Sequence, residues 1–218
     1  MSDERSDLDV AGLREEYARG GLDVPDLAGD PFSMFRRWLD EAVAAGLHEP
    51  NAMVVSTVSA EGRPSSRMVL LKGLSDAGFV FYTNLASRKG EELAANPQCS
   101  LLFPWHPLER QVRIEGSAAP LDAETVEAYF RSRPRGAQLG AWASPQSQPV
   151  ASRAALEASY AAVQERFGEG EVPVPPHWGG YLVAPESVEF WQGRPGRMHD
   201  RLVYQRDGAS WGVVRLAP

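Results

Sequence analysis

Hydrophobic positions along this chain fall into two regimes. Up to about residue 50 they recur at helical spacing, and from Ala52 they gather into short β-rich runs divided by glycine, proline and acidic turns. Over residues 9–19, Leu13 and Tyr17 share one face behind a candidate Asp9 cap, and Gly20-Gly21 follows as a natural stop. This segment is predicted as a short, mobile helix. A linker containing proline and glycine leads to Asp30-Pro31, which starts a second helix whose Phe32, Phe35, Leu39, Ala42 and Val43 form a core-facing stripe.

The runs AMVVSTV, SSRMVLLKGL and GFVFYTN, divided by AEGRP and SDAG, read as three strands of an antiparallel meander. A helix is predicted over residues 87–96, capped by the Ser87 hydroxyl, and strands in CSLLFPW and RQVRIEGSA follow it. Helices are predicted over residues 123–131, 138–142 and 152–167, with VPVPPHW as a loop. Strands return in YLVAP, VEFWQ, RLVYQR and SWGVVRL, the last two joined at Asp207-Gly208, a hairpin signal. Many short strands with hairpin-scale connections, and no regular strand-helix alternation, predict a mainly β protein: an antiparallel barrel with peripheral helices. The expected division is a mobile N-terminal helix and linker, residues 1–29, and one barrel domain, residues 30–218.

Composition narrows the function. A chain of 218 residues, 43% hydrophobic, can bury a sizeable core. Its opening MSDERSDLDV is polar, and no apolar run approaches the roughly 20 residues that span a bilayer, so a cytoplasmic protein without membrane contact is expected. Cys99, inside CSLLF, reads as a small buried hydrophobe and not a nucleophile. The formal net charge of −7 disfavours a general nucleic-acid surface. Basic residues nevertheless cluster in RMVLLK, SRK, RSRPR and GRPGRMHDR, which points to local pockets for small phosphorylated ligands.

The histidines at 48, 106, 177 and 199 do not fall at the spacing of metal ligands on one helix face, and CxxC, GxSxG, GxGxxG and GxxxxGK[ST] motifs are all missing. A phosphate must therefore be held in another way. Alternation along RMVLLK puts Arg67, Val69 and Leu71 on one face of a strand and Met68, Leu70 and Lys72 on the other, so two cations can serve two different anions. FYTNLASRK adds the hydroxyls of Tyr82, Thr83 and Ser87, with Arg88 and Lys89 at a helix N-terminus, where free amides and the helix dipole favour phosphate.

With these two segments, LLFPWHPLERQVRIEG, YFRSRPRGAQLGAWASPQSQ and VEFWQGRPGRMHDR complete an ordered set that resembles the pyridoxamine 5'-phosphate oxidase family from Arg14 to the final RLAP. The resemblance implies a split-barrel homodimer with flavin mononucleotide (FMN) at the subunit interface. It implies oxidation of pyridoxamine or pyridoxine 5'-phosphate to pyridoxal 5'-phosphate, with O2 as electron acceptor. By the same resemblance Arg67, Met68, Val69, Leu70, Leu71, Lys72, Tyr82, Thr83, Ser87, Arg88 and Lys89 surround the flavin, and Gln111, Gln146, Ser147, Trp191 and Arg201 complete its pocket. The implied substrate residues are Lys72, Tyr129, Arg133 and Ala137 at the phosphate, Arg197 and His199 over the ring as catalytic residues, and Arg14 and Tyr17 from the N-terminal segment. Where relatives commonly carry a serine after RSRPR, this chain has Gly136-Ala137, so one neutral hydrogen bond is missing while the cationic contacts remain.

Overall fold

The computed structural model describes residues 16–18 and 20–218, so the predicted helix over residues 9–19 lies largely outside the described residues; residues 16–18 are not helical. Helix α1, Pro31–Ala44, begins where Asp30 accepts hydrogen bonds from the Phe32 and Ser33 amides at 2.9 Å, with proline at the first helical position. Its buried face is Pro31, Phe32, Met34, Phe35, Trp38 and Ala42. The predicted stripe is corrected at Val43, which is 58% exposed, because the helix turns its next core positions to Met34 and Trp38.

The strands are β1 Ala52–Val58, β2 Pro64–Leu70, β3 Gly73–Ser75, β4 Gly78–Asn84, β5 Gln98–Trp105, β6 Arg110–Pro120, β7 Trp178–Gln192, β8 Asp200–Asp207 and β9 Ser210–Leu216. Helix α2, Arg88–Ala95, joins β4 to β5, and α3 Ala123–Ser132, α4 Arg135–Ala143 and α5 Arg153–Phe167 lie between β6 and β7. All pairings are antiparallel, in the order β2-β1-β5-β6-β7-β4-β3, with β8 on β7 and β9 on β8. The mainly β expectation holds, but the predicted three-strand meander does not. SSRMVLLKGL splits into β2 and β3, which lie at opposite ends of the pairing path.

Those two ends are separated in sequence by only Leu71 and Lys72, and this forces the sheet to curl until its ends meet. The Leu71 amide donates to Asn51 O at 2.9 Å, continuing the β1 side, and the Lys72 amide donates to Val80 O at 2.8 Å, starting the β4 side. YLVAP and VEFWQ, expected as two strands, form the single long β7, which forks the sheet: residues 178–183 pair with β4 and residues 187–192 with β8. Between them a bulge at Glu115/Gly116 lets β7 change partners. Gly116 is required there, because a Cβ would lie 2.1 Å from Ala184 O. The β8–β9 hairpin turns at Gly208 with φ 57°, as the Asp207-Gly208 signal predicts.

The inside of the curl is filled by aromatic side chains that α1 presses down on. Phe35 lies 4.7 Å from Phe103, 5.0 Å from Phe79 and 5.6 Å from Trp105 between ring centroids, and Trp38 lies 5.2 Å from Phe190. Cys99 is buried as expected, and burial pushes its thiol up to about 12. A second, smaller cluster of Phe130, Leu139, Ala141 and Val172 ties α3 and α4 to the loop before β7, while α5 contributes only half-buried residues. Because Phe35 is fully buried against three other rings, Phe35→Ala is expected to cost roughly 3–5 kcal/mol of stability. Equilibrium denaturation checks this, and a loss under about 1 kcal/mol would contradict the packing described.

Candidate active site

The predicted site residues fall into three clusters. The first forms where β4 turns into α2. Asn84 orders the turn by accepting from the Ala86 amide at 2.8 Å, and Gly90 lets it close, since a Cβ there would lie 2.1 Å from Leu85 O. Ser87 does not cap the helix as predicted. Its hydroxyl donates to Asn84 O at 2.6 Å, and no side chain caps the α2 amides. Lys89, 6% exposed, donates to Gln146 Oε1 at 2.7 Å, to Thr83 Oγ1 at 3.0 Å and to Ser87 Oγ at 3.2 Å. No carboxylate pairs with it among the described residues. Burial, helped by the nearby Arg67 charge, lowers its pKa to about 8.

Beside this lysine, Arg67 donates to Thr57 Oγ1 and Ser65 Oγ. The buried Glu92 accepts from Thr57, from Ser65 at 2.7 Å and from Arg88 Nε at 2.8 Å, with Arg67 at 3.4 Å. Burial acts to raise the Glu92 pKa, but the hydrogen bonds from Thr57, Ser65 and Arg88 prevail and hold it at about 2. In the same region Ser147, φ 69°, sits in an exposed left-handed turn just after Gln146. Along RMVLLK, Met68 is 65% exposed, Val69 packs on the core and the Leu71 side chain lies within it.

The second cluster lies between β4 and α3. The Tyr82 and Tyr129 rings stack at 3.7 Å, 12° from parallel, and burial raises both phenol pKa values. Arg133, just past the end of α3, lies 4.1 Å above the Trp178 ring, and its NH1 is buried with no hydrogen-bond partner. Gln138 fixes this corner: its Nε2 donates to Phe130 O, Arg131 O and Arg133 O at 3.0–3.2 Å. No side chain caps α4, whose N-cap residue Pro134 directly follows Arg133. Ala137 is in the first turn, its amide on Pro134 O, and the exposed Lys72 is anchored through its amide to Val80, two residues before Tyr82.

The third cluster gathers the end of the chain and the N-terminal segment. Trp191 lies 4.6 Å from His199 and 5.8 Å from Tyr17, whose ring is 5.5 Å from His199 and 5.8 Å from the Arg197 guanidinium carbon. Gly193 makes room for Tyr17, because a Cβ would sit 2.8 Å from its ring. The Arg194 amide donates to His199 Nδ1 at 3.1 Å, so the neutral imidazole carries its proton on Nε2. Burial and the Arg197 charge lower the His199 pKa. Arg197 itself is in the left-handed region at φ 64°. On the neighbouring strand face Gln111, Arg113, Glu189, Trp191, Arg201 and Pro218 line a cavity of about 290 Å³.

Thus Thr83, Ser87, Lys89 and Gln146 come together, as do Tyr82 and Tyr129, and Tyr17, Trp191, Arg197 and His199; Arg14 lies outside the described residues. Within one chain Arg67 on β2 and Arg201 on β8 are not brought together, since four strands separate β2 from β8 along the sheet. Sequence reasoning missed Thr57, Ser65 and Glu92, which organise Arg67, and Gln138, Arg113 and Glu189. Glu189 was legible by alternation, two residues before Trp191 and on its face.

A curled antiparallel sheet with these clusters at its rim defines a split barrel. Residues 39–167 match the sequence signature of pyridoxamine 5'-phosphate oxidase, and residues 178–218 match the pyridoxine 5'-phosphate oxidase C-terminal dimerisation region. The chain belongs to the pyridoxamine 5'-phosphate oxidase family, and the second match indicates a homodimer. It is 64% identical over 211 residues to the pyridoxine/pyridoxamine 5'-phosphate oxidase of a Nocardioides species, covering 97% of this chain and 99% of that one. The Rubrobacter xylanophilus protein of the same name is 56% identical over 210 residues, covering 96% and 97%. Among solved structures, PhzG from Burkholderia lata 383, in complex with tetrahydrophenazine-1-carboxylic acid, superposes with a TM-score of 0.84 at 33% identity, covering 91% of this chain and all of that one.

The depressed Glu92 pKa has a definite sign. Its contribution to stability is complete above the ordinary value of 4.5 and is lost as pH falls towards about 2. Glu92→Gln is therefore expected to be less stable than the parent at neutral pH, with the difference shrinking across that window. Denaturation midpoints at several pH values test this, and a gap that stays constant down to pH 2 would contradict it.

Proposed function

We propose that this chain is an FMN-dependent oxidase of the cytoplasm that converts pyridoxamine and pyridoxine 5'-phosphates to pyridoxal 5'-phosphate. O2 is the electron acceptor, hydrogen peroxide is released, and the amine substrate also yields ammonia. The observation that carries this reading is a pair of cations without carboxylate partners among the described residues, the buried Lys89 and the half-buried Arg133, whose NH1 is itself buried. A cation buried without its counter-ion is costly unless an anion joins it, and an unpaired guanidinium N–H alone costs roughly 1–3 kcal/mol. Both lie beside uncapped helix N-termini, which suit phosphate. Two such places, next to adjacent residues Thr83 and Tyr82 of β4, fit a phosphorylated cofactor and a phosphorylated substrate.

In this reading Lys89, Arg67, Ser87 and Arg88 hold the phosphate of FMN, with Gln146 and Ser147 near it. Arg133, Lys72, Tyr129 and the α4 amides next to Ala137 hold the phosphate of the substrate. Gln111, Trp191 and Arg201 come from the partner subunit to close over the flavin ring. Bound FMN would accept the hydride equivalent from the substrate and pass its electrons to O2. The protein's part is to fix both phosphates, align the reacting carbon and exclude water. Arg197 and His199 orient the substrate ring, with His199 acting as an Nε2–H donor, and Tyr17 covers them.

The test is direct. Purified protein is expected to show the visible bands of flavin and to release peroxide when pyridoxamine 5'-phosphate is added. Flavin bands without peroxide would favour a carrier, and turnover only of a reduced tricyclic acid would favour a reaction like that of a PhzG-type relative. A second expectation follows from Lys89. Its charged form predominates below about 8 and is the form that attracts phosphate, so FMN affinity should fall as pH rises through that value. Riboflavin, which lacks the phosphate, should show no such fall. Equal pH dependence of both ligands, followed by flavin fluorescence, would rule out Lys89 as a phosphate ligand.

A further inference from the structure

A nearly buried carboxylate lines the cavity beside the third cluster. Glu189, 5% exposed, lies opposite Arg113 of β6 in the ladder and shares its strand face with Trp191. Its Oε1 accepts from Arg201 Nε at 2.7 Å, and its Oε2 accepts from Arg201 NH2 at 3.1 Å and from Arg113 NH2 at 2.5 Å. Arg201 NH1 donates in turn to Ala217 O at 3.0 Å. Three of the five N–H groups of the Arg201 guanidinium are therefore fixed by this chain, and the remaining two are free to meet a ligand. The same residues, with Gln111 and Trp191, enclose the 290 Å³ cavity.

One buried carboxylate is shared between two guanidiniums, and Arg113 has a further partner in the exposed Glu115 at 3.4 Å, so Glu189 is the buried counter-charge to Arg201 beside the cavity and tempers the Arg201 charge there. How strongly that charge is felt in the cavity depends on how Glu189 is divided between Arg113 and Arg201. We propose that Glu189 is a positioning residue that holds the Arg201 guanidinium against the bound flavin ring and sets how much of its charge the ring feels, and so sets the flavin's reduction potential. This rests on the reading that FMN occupies the site. Reduction adds negative charge to the ring, so a stronger cation beside it favours the reduced form.

The experiment is a redox titration of FMN-loaded parent, Glu189→Gln and Arg113→Gln proteins against reference dyes, with flavin occupancy read from absorbance. Removing the negative charge in Glu189→Gln is expected to raise the ratio of reduced to oxidised flavin affinity about tenfold, a shift of about 30 mV to more positive potential. Arg113→Gln leaves Glu189 to Arg201 alone and is expected to shift the potential the other way. Should Glu189→Gln fail to fold or to hold flavin, Arg113→Gln decides by itself, since the Arg113 side chain is 46% exposed. A carboxylate with a purely structural role would alter stability and leave the potential where it was. Flavin retained at parental occupancy with unmoved potentials, or with both variants shifted in the same direction, overturns this proposal alone. A parent protein that takes up no flavin overturns the functional reading and this proposal together.

Discussion

The constraint on which the site depends is the cost of burying a positive charge without a negative one. Lys89 is enclosed by three neutral oxygens, those of Thr83, Ser87 and Gln146, and the charge that acts on it is that of another cation, Arg67. Glu92, close by, is already committed to Thr57, Ser65 and Arg88, so it organises the surrounding cations without neutralising the lysine. Such an arrangement survives folding only because other burial supports it. The Phe35, Phe79 and Phe103 cluster lies under the same sheet that carries Thr83, and it supplies that support. Packing of Phe79 and Phe81 along the same face of β4 as Thr83 thus offsets the cost of burying the lysine charge.

Topology explains why the cations are where they are. Because only Leu71 and Lys72 separate β2 from β3, the segment that closes the sheet is the same one that carries Arg67 and Lys72. Closure fixes the lysine amide to Val80 and so sets the spacing between Lys72 and the Tyr82–Tyr129 stack, without any requirement on the lysine head, which stays exposed. The fork in β7 does the same at the other end. By leaving β4 at the Gly116 bulge and taking up β8, it carries Glu189 and Trp191 away from the β4 rim and joins them to Arg201.

Much of this was legible in the sequence, and what was not has a physical reason. Local signals were sufficient for α1, for the strands with clear alternation and for the Gly208 hairpin, since each depends on caps, period and turn chemistry within a few residues. The meander failed because strand order is decided by non-local closure, and no residue in GFVFYTN records that its long partner is β7, with only the short β3 and not β2 on its other edge. Ser87 failed as a cap for a similar reason: its hydroxyl is drawn to Asn84 O and to the buried Lys89, a tertiary demand stronger than the local one. Residues that act through others, such as Gln138 at the end of α3 and Glu92 beneath Arg67, carry no motif of their own.

The separation of Arg67 from Arg201 bears on why a dimerisation region should accompany this barrel at all. In one chain the cationic rim at β2 and α2 and the aromatic and arginine face at β7 and β8 are built on different parts of the sheet, each by its own closed set of hydrogen bonds. Neither can rotate towards the other without breaking the ladders that form it. A planar ligand that uses both faces must therefore lie between two copies, where the β8–β9 hairpin, with Val213, Val214 and Leu216 partly exposed, offers apolar surface for the contact. On the proposed reading, ligand binding and assembly are then linked. FMN that bridges two chains stabilises the dimer by its binding free energy, and a weakened interface lowers the apparent affinity for FMN by the same coupling, whichever side of the linkage is perturbed first.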